Sequence, residues 1–206
     1  NFSTGVPDSL LKDLCFQLEF THKKNHITAA NEGAAVGLAI GYYLKTKKIP
    51  IIYLQNSGFG NMINPILSLA DNKVFDIPLF IIMGWRGEKS KTIKDEPQHI
   101  SQGALTEHLL KKLKIKHKVI SKDSDFKKII KELKHYTKKN NKISCLLIKK
   151  NVFKNKKQKK KELAKSKLMR REEILQHIIK KLPKDISSIS TTGILSRELY
   201  EILKKN

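Results

Sequence analysis

Residues 49–61 read Ile49-Pro50-Ile51-Ile52-Tyr53-Leu54-Gln55-Asn56-Ser57-Gly58-Phe59-Gly60-Asn61. A short unbroken apolar run closed by a turn-rich polar segment is the pattern of a strand buried on both faces. A helix through Leu69 follows it. Pro78 to Gly84 repeats the buried-strand signature and opens a long polar loop, from Trp85 to about His99. Two such strands, each leaving into a polar loop and then a helix, set the expectation for the rest of the chain.

Toward the N-terminus, Leu10, Leu11, Leu14, Cys15 and Leu18 fall at helical spacing over 8–20, with Pro7 and Asp8 suited to a helix start. His26-Ile27-Thr28 reads as a short strand leading into a helix from about Glu32 to Leu44. That helix is rich in Gly33, Ala34, Ala35, Gly37, Ala39 and Gly41, against helix propensity, and close packing on a sheet or a partner subunit would account for them. Toward the C-terminus the pattern gives a helix from about Gln102 to Leu113 and a strand near Lys116–Ile120. An amphipathic helix over 123–139 and a strand over 143–149 follow. This alternation implies an α/β fold, a parallel sheet flanked by helices on both faces. Ligands of such sheets bind beyond the carboxyl ends of the strands, here the segments after Leu54 and after Gly84.

The 206 residues suffice for one sizeable α/β domain over 1–150, a Lys-rich linker over 151–170 with a helical second half, and the opening of a second α/β domain over 171–206. In that last part Arg171 to Leu182 reads as a helix stopped by Pro183, Ser187 to Thr192 as a strand, and Ser196 to Leu203 as a helix capped by Ser196. Both ends have the look of cuts from a longer polypeptide.

Net charge is +23, yet only four of the 42 basic residues are arginine: Arg86, Arg170, Arg171 and Arg197. Readers of phosphates and base edges favour the planar arginine fork. A lysine excess spread over helix faces argues against nucleic acid as the principal partner, and a non-catalytic basic binding module is the rival reading from another class. Cys15 and Cys145 lie in apolar patterns and read as buried free thiols, with no disulfide framework and no metal-ligand spacing. The longest apolar run, Pro78 to Met83, is too short to span a bilayer, so a soluble cytoplasmic protein is expected.

Glu32 stands at the junction of a short strand and the small-residue helix. It is either a helix cap or a partly buried acid available for proton chemistry. The loop around Ser57, Gly58 and Asn61 is either an ordinary turn or a set of amides facing a ligand. Arg86 and Glu88 on one side, and Asp95, Glu96, Gln98 and His99 on the other, bracket the loop after the second buried strand. That is either a solvated loop or an acid-base and anion-binding site. Asp8 is a helix cap or a carboxylate facing a cleft.

These same segments carry a resemblance. The runs Thr4 to Leu10, Asn31 to Ala35, Tyr53 to Asn61, Asn64-Pro65, Leu67 to Asp71, Gly84 to Glu88 and Lys94 to His99, in this order and spacing, resemble the thiamine-diphosphate-dependent 2-oxo-acid decarboxylases. Among these they resemble most the phosphonopyruvate decarboxylases, with the sulfopyruvate decarboxylases as near relatives. It is strong over about the first 120 residues and returns at Arg171-Glu172-Glu173 and Thr191 to Leu199.

The resemblance implies a pyrimidine-binding domain, a linker and the start of a diphosphate-binding domain. It implies that Glu32 hydrogen-bonds the pyrimidine ring of thiamine diphosphate and thereby promotes loss of the thiazolium proton. Asp8 and His99 are then candidates for proton transfer, and Ser57, Gly58 and Asn61 for cofactor contact. Arg86 and Gln98 are candidates for positioning the anionic 2-oxo acid. The implied reaction takes 3-phosphonopyruvate to phosphonoacetaldehyde and carbon dioxide; the alternative is a sulfopyruvate-specific pyrimidine-domain subunit. The glycine-aspartate motif of the Mg²⁺-diphosphate site has no counterpart here. The expectation is therefore that metal binds outside this chain, that the chain alone is inactive, and that it works in a homo-oligomer, at least a dimer.

Overall fold

The computed structural model describes residues 2–88, 95–153, 169–183, 185–190 and 193–205. The chain divides into two compact units, Asn1–Lys156 and Lys157–Asn206. In the first, six strands form one sheet: β1 (Ser3–Gly5), β2 (His26–Thr28), β3 (Ile51–Gln55), β4 (Phe80–Gly84), β5 (Lys116–Ile120) and β6 (Ser144–Ile148). Their order is β2-β1-β3-β4-β6-β5, and each pairing is parallel. Between them lie α1 (Lys12–Thr21), α2 (Glu32–Thr46), α3 (Phe59–Pro65), α4 (Pro97–Lys112) and α5 (Phe126–Asn140).

Alternate side chains of a strand face opposite sides of the sheet, and here both sides are apolar. Ile52, Leu54, Ile81, Met83, Cys145 and Leu147 pack with Ala35, Val36, Ala39 and Ile40 of α2, Phe59 and Met62 of α3 and Leu110 of α4. Tyr53, Phe80, Leu146 and Ile148 pack on the other side with Leu11, Leu133 of α5 and Leu14, Cys15 and Leu18 of α1. The unbroken apolar runs of β3, β4 and β6 are thus explained: each residue has a core to enter. Cys145 is buried as expected, whereas Cys15 is only half-buried.

Only half of the small-residue pattern in α2 serves the sheet. Ala35, Val36, Ala39 and Ile40 are buried, but Gly37 and Gly41 have open space above them, and Leu38 and Leu44 are exposed. Gly33 has a different reason: a side chain there would crowd the carbonyl of Asn61 at 3.1 Å.

Three expectations need correction. Helix α4 begins at Pro97, not near Gln102, because Pro97 follows the extended Glu96 and occupies the first turn, where its missing N–H costs nothing. Gln98 and His99 therefore sit on a helix rather than in a loop. In the second unit, 186–190 form no strand. They are all exposed, Ile189 to 99%, and have no neighbouring strand to take their backbone hydrogen bonds; Thr191 and Thr192 lie outside the described residues. Ser196 does not cap α7 (Ile194–Lys205); that helix starts two residues earlier, and the Ser196 hydroxyl bonds back to the backbone of Gly193. Helix α6 (Arg171–Lys181) is as expected and is joined to α7 by a bidentate Arg171–Glu198 pair with both N···O distances at 2.6 Å. Residues 154–168, the expected helical linker, lie outside the described residues.

Candidate functional site

The strand order puts the carboxyl ends of β2, β1, β3 and β4 side by side, and each end delivers one group. Glu32 follows β2, Asp8 follows β1, Ser57 and Gly58 follow β3, and Arg86 follows β4. The chain runs outward from β1 to β2 and then crosses to β3, so a topological switch point falls between β1 and β3.

Asn31 takes the cap of α2: its side chain accepts from the Ala34 amide at 2.8 Å, which frees Glu32 from that task. The Glu32 carboxylate is half-buried, accepts from Asn61 Nδ2 at 2.8 Å through Oε2, and rests its Oε1 against Gly58. A Cβ at residue 58 would collide with that carboxylate, so only glycine leaves Glu32 its seat. Oε1 has no hydrogen-bond partner among the described residues. Ser57 is exposed and accepts from Gln55 Nε2 at 2.7 Å.

Asp8 is 5% exposed, and neither carboxylate oxygen has a hydrogen-bond partner. It stands before the 3₁₀ turn Ser9–Leu11 and makes no side-chain cap bond, which removes the cap reading. It too is seated on a glycine: a Cβ on Gly84 would collide with Asp8 Oδ2. Burial pushes its pKa up. The amides of Leu10 and Ser9, near it without meeting hydrogen-bond geometry, and the charges of Arg86 and His99 pull the other way and lose.

Arg86 and His99 meet on Asp95, which the sequence placed in the bracketing run without a role of its own. Its Oδ1 accepts from His99 Nδ1 at 2.9 Å and lies 3.4 Å from Arg86 Nη1, and its Oδ2 accepts from the Gly87 amide at 2.9 Å. Burial raises the Asp95 pKa, but the Gly87 amide, His99, the Glu96 amide and the Arg86 charge together outweigh it and hold the carboxyl well below the usual carboxylate range. Two acids at one edge are thus pushed in opposite directions, Asp8 up by burial and Asp95 down by its partners. Asn56, outside the expected set, is 5% exposed and clamps Arg86 by its backbone, donating to the Arg86 carbonyl and accepting from its amide, both at 2.9 Å. Gly87, at φ 68°, lies so close to the His99 carbonyl that no side chain fits. Gln98, by contrast, is exposed and makes no hydrogen bond among the described residues. Asp95 was legible as an acid four residues before His99 at a helix entrance; Asn56 looked like any loop asparagine.

The site has features a bound polar group would satisfy: a free Glu32 oxygen, two orphaned Asp8 oxygens and an orphaned, buried Nε on Arg86. These residues fit a nitrogen heterocycle at Glu32 and an anion near Arg86. Two cavities, of about 440 and 400 Å³, lie away from this edge, one lined by Ile49, Phe80 and Lys134 and the other by Asp71, Leu113 and Tyr136. Among the described residues no group of three metal-ligating side chains gathers, and no helix is long and apolar enough to cross a membrane.

Residues 2–110 match the family described as the thiamine pyrophosphate enzyme N-terminal TPP-binding domain, and the chain belongs to that family. Its relatives narrow the class. It is 36% identical over 115 residues to the sulfopyruvate decarboxylase subunit alpha of Methanococcus maripaludis, covering 56% of this chain and 65% of that protein. To the corresponding subunit of Methanocaldococcus jannaschii it is 39% identical, covering 53% and 62%. To the phosphonopyruvate decarboxylase of Streptomyces viridochromogenes it is 38% identical, covering 52% of this chain and 25% of that protein. The chain thus spans less than two thirds of the length of each of these relatives. The crystal structure of benzoylformate decarboxylase from Polynucleobacter necessarius shares the fold, with a TM-score of 0.52 at 20% identity over 72% of this chain and 27% of that one.

Proposed function

We propose that this chain supplies the pyrimidine-binding domain of a thiamine-diphosphate-dependent decarboxylase acting on a short 2-oxo acid with an anionic tail, 3-phosphonopyruvate being the substrate we favour. The observation that carries the reading is the Glu32 carboxylate, released from capping by Asn31, held by Asn61 and seated on Gly58 with one oxygen free. Thiamine diphosphate, when bound, supplies the electron sink for loss of carbon dioxide. Glu32 holds a proton shared with a ring nitrogen of that group, Asn61 fixes the carboxylate, and Gly58 gives it room. Asp8, kept toward its neutral form by burial, donates a proton to the product side of the reaction, while Arg86 and His99 hold the anionic tail.

In this reading residues 1–150 form the pyrimidine-binding domain, 151–170 the linker and 171–206 the opening of the diphosphate-binding domain. The exposed stripe of Gly37, Leu38, Gly41 and Leu44 on α2 is covered by a second copy of the chain in a homo-oligomer. Phosphonate is favoured by the resemblance of residues 171–199 to the start of a second domain. A sulfonate substrate is the second reading, favoured by the larger share of the sulfopyruvate decarboxylase alpha subunits that the match covers.

The test is carbon dioxide release by the assembled protein from 3-phosphonopyruvate and from sulfopyruvate, with thiamine diphosphate and Mg²⁺. The expected result is turnover of the phosphonate with the larger kcat/KM. Glu32→Gln should lower kcat/KM at least ~100-fold, about 2.7 kcal/mol in transition-state stabilisation, with the melting temperature preserved. Near-normal turnover by that variant would remove Glu32 from the chemistry, and a preference for sulfopyruvate would reverse the choice of substrate.

A further inference from the structure

We infer that Asp95 is a positioning residue that fixes Arg86 and His99 as a paired polar seat, next to the turn of Asp8 and Ser9, for the phosphonate tail of the substrate. The inference deepens the function proposed above and rests on it.

Asp95 spends both oxygens on tying two elements together. Through Oδ2 and the Gly87 amide it grips the turn after β4, and through Oδ1 it grips the ring of His99 in the first turn of α4. The Glu96 amide, at 2.9 Å from Oδ1, holds the carboxylate on its own backbone. An ionised carboxylate on Nδ1 makes that nitrogen the donor, so Nε2 is left as the free position of the imidazole. Nε2 of His99 makes no hydrogen bond among the described residues.

Arg86 is set from both ends. Asn56 clamps its backbone, and its guanidinium divides between Asp95 at Nη1 and the Ser9 hydroxyl at Nη2, next to Asp8. That leaves the buried Nε without a partner. Asp8, 5% exposed with two orphaned oxygens, immediately precedes Ser9, whose hydroxyl accepts from Arg86 Nη2.

A carboxylate needed only to close the turn would be satisfied by the Gly87 and Glu96 amides. It would give no reason for an orphaned guanidinium nitrogen on Arg86 and an orphaned carboxyl on Asp8, each of which is costly when left unsatisfied. A phosphonate monoanion answers both: its oxygens accept from Arg86 Nε, and its hydroxyl donates on the Asp8 and His99 side, where Nε2 is an acceptor once Nδ1 holds the proton. The planar arginine fork and the tautomer-fixed histidine serve such a ligand only if both are held still, and among the described residues Asp95 is the one carboxylate that touches both.

The test uses Asp95→Ala and Asp95→Asn in the assembled protein. Nitrogen NMR of the His99 ring, which needs neither cofactor nor turnover, should show protonation at Nδ1 in the natural protein and its loss in Asp95→Ala. Affinity for methylphosphonate, measured calorimetrically, should fall by about 10-fold in Asp95→Ala and by about 3-fold in Asp95→Asn, which keeps an oxygen for His99 but no charge for Arg86. Where turnover is present, KM for the anionic substrate should rise by about 10-fold, while KM for pyruvate, which lacks the anionic tail, stays within about 2-fold. An unchanged His99 tautomer with unchanged methylphosphonate affinity would overturn the inference. So would an equal rise in both KM values, the mark of a merely structural residue. If Asp95→Ala does not fold, Asp95→Asn decides by its methylphosphonate affinity alone. A protein that binds methylphosphonate through Asp95 yet decarboxylates neither acid would sustain this seat and defeat the proposed reaction.

Discussion

Asp8 and Glu32 are both acids seated on glycines, and their neighbours give them opposite tasks. Burial outweighs the nearby amides and charges at Asp8 and raises its pKa from the ordinary 3.8. A carboxyl whose folded pKa lies above its unfolded value contributes stability that is full below the unfolded value and is lost as pH rises through the folded one. Asp8→Asn, which cannot ionise, should therefore raise the melting temperature relative to the natural protein at about pH 7 and less, or not at all, at about pH 3, as read from thermal melts across pH. Asp95 is the reverse case: its depressed pKa contributes stability present above 3.8 and lost as pH falls through its folded value. Identical shifts for Asp8→Asn at the two pH values would show that its burial carries no charge penalty. At this scale the sequence was half legible. Glu32 could be singled out as an acid at a strand-helix junction, but only the Asn31 side chain on the Ala34 amide shows that Glu32 is not the cap.

Helix α2 shows why an element's sequence pattern can be right and its reason incomplete. Its glycines were expected against a sheet or a partner, and the sheet takes Ala35, Val36, Ala39 and Ile40 while Gly37 and Gly41 face open space. Gly41→Glu should preserve or slightly raise the stability of the isolated fold, since exposed glycine costs a helix roughly 0.5–1 kcal/mol. The same variant should shift the sedimentation coefficient from that of an oligomer to that of a single chain. An oligomer that survives the substitution would move the interface elsewhere. Helix α4 teaches a complementary lesson. Its start was placed too late because the polar run Pro97-Gln98-His99 looks like loop, whereas a proline after an extended residue is a helix entrance. Over 187–190, the described part of the strand expected at 187–192, the reason is different: β-branched and small residues favour a strand only where another strand stands beside them.

The chain carries a net charge of +23, and many of the described lysines are exposed. On α5, Lys127, Lys128, Lys131, Lys134, Lys138 and Lys139 are all exposed, opposite a face that buries Leu133 and Thr137. Arg86 and Arg171, by contrast, are committed to carboxylates. Binding to duplex DNA should accordingly be sequence-independent and weaken by at least about 10-fold between about 50 and about 200 mM salt, as followed by fluorescence anisotropy. Tight binding that persists at the higher salt would revive the basic binding module as a rival.

The amino-acid sequence by itself determined the alternation of strand and helix, the burial of β3, β4 and β6 on both faces, and the family, because each of these is written in local periodicity or in short runs of residues. The meeting of Glu32 with Gly58 and Asn61, of Asp8 with Gly84, and of Arg86 with Asp95, His99 and Asn56 was decided by tertiary structure alone. Those partners come from different segments, and it is the order β2-β1-β3-β4 that brings their strand ends to one edge. Periodicity records which face of an element is apolar; it carries no information about which strand will lie beside which, and the chemistry of this site depends on that adjacency.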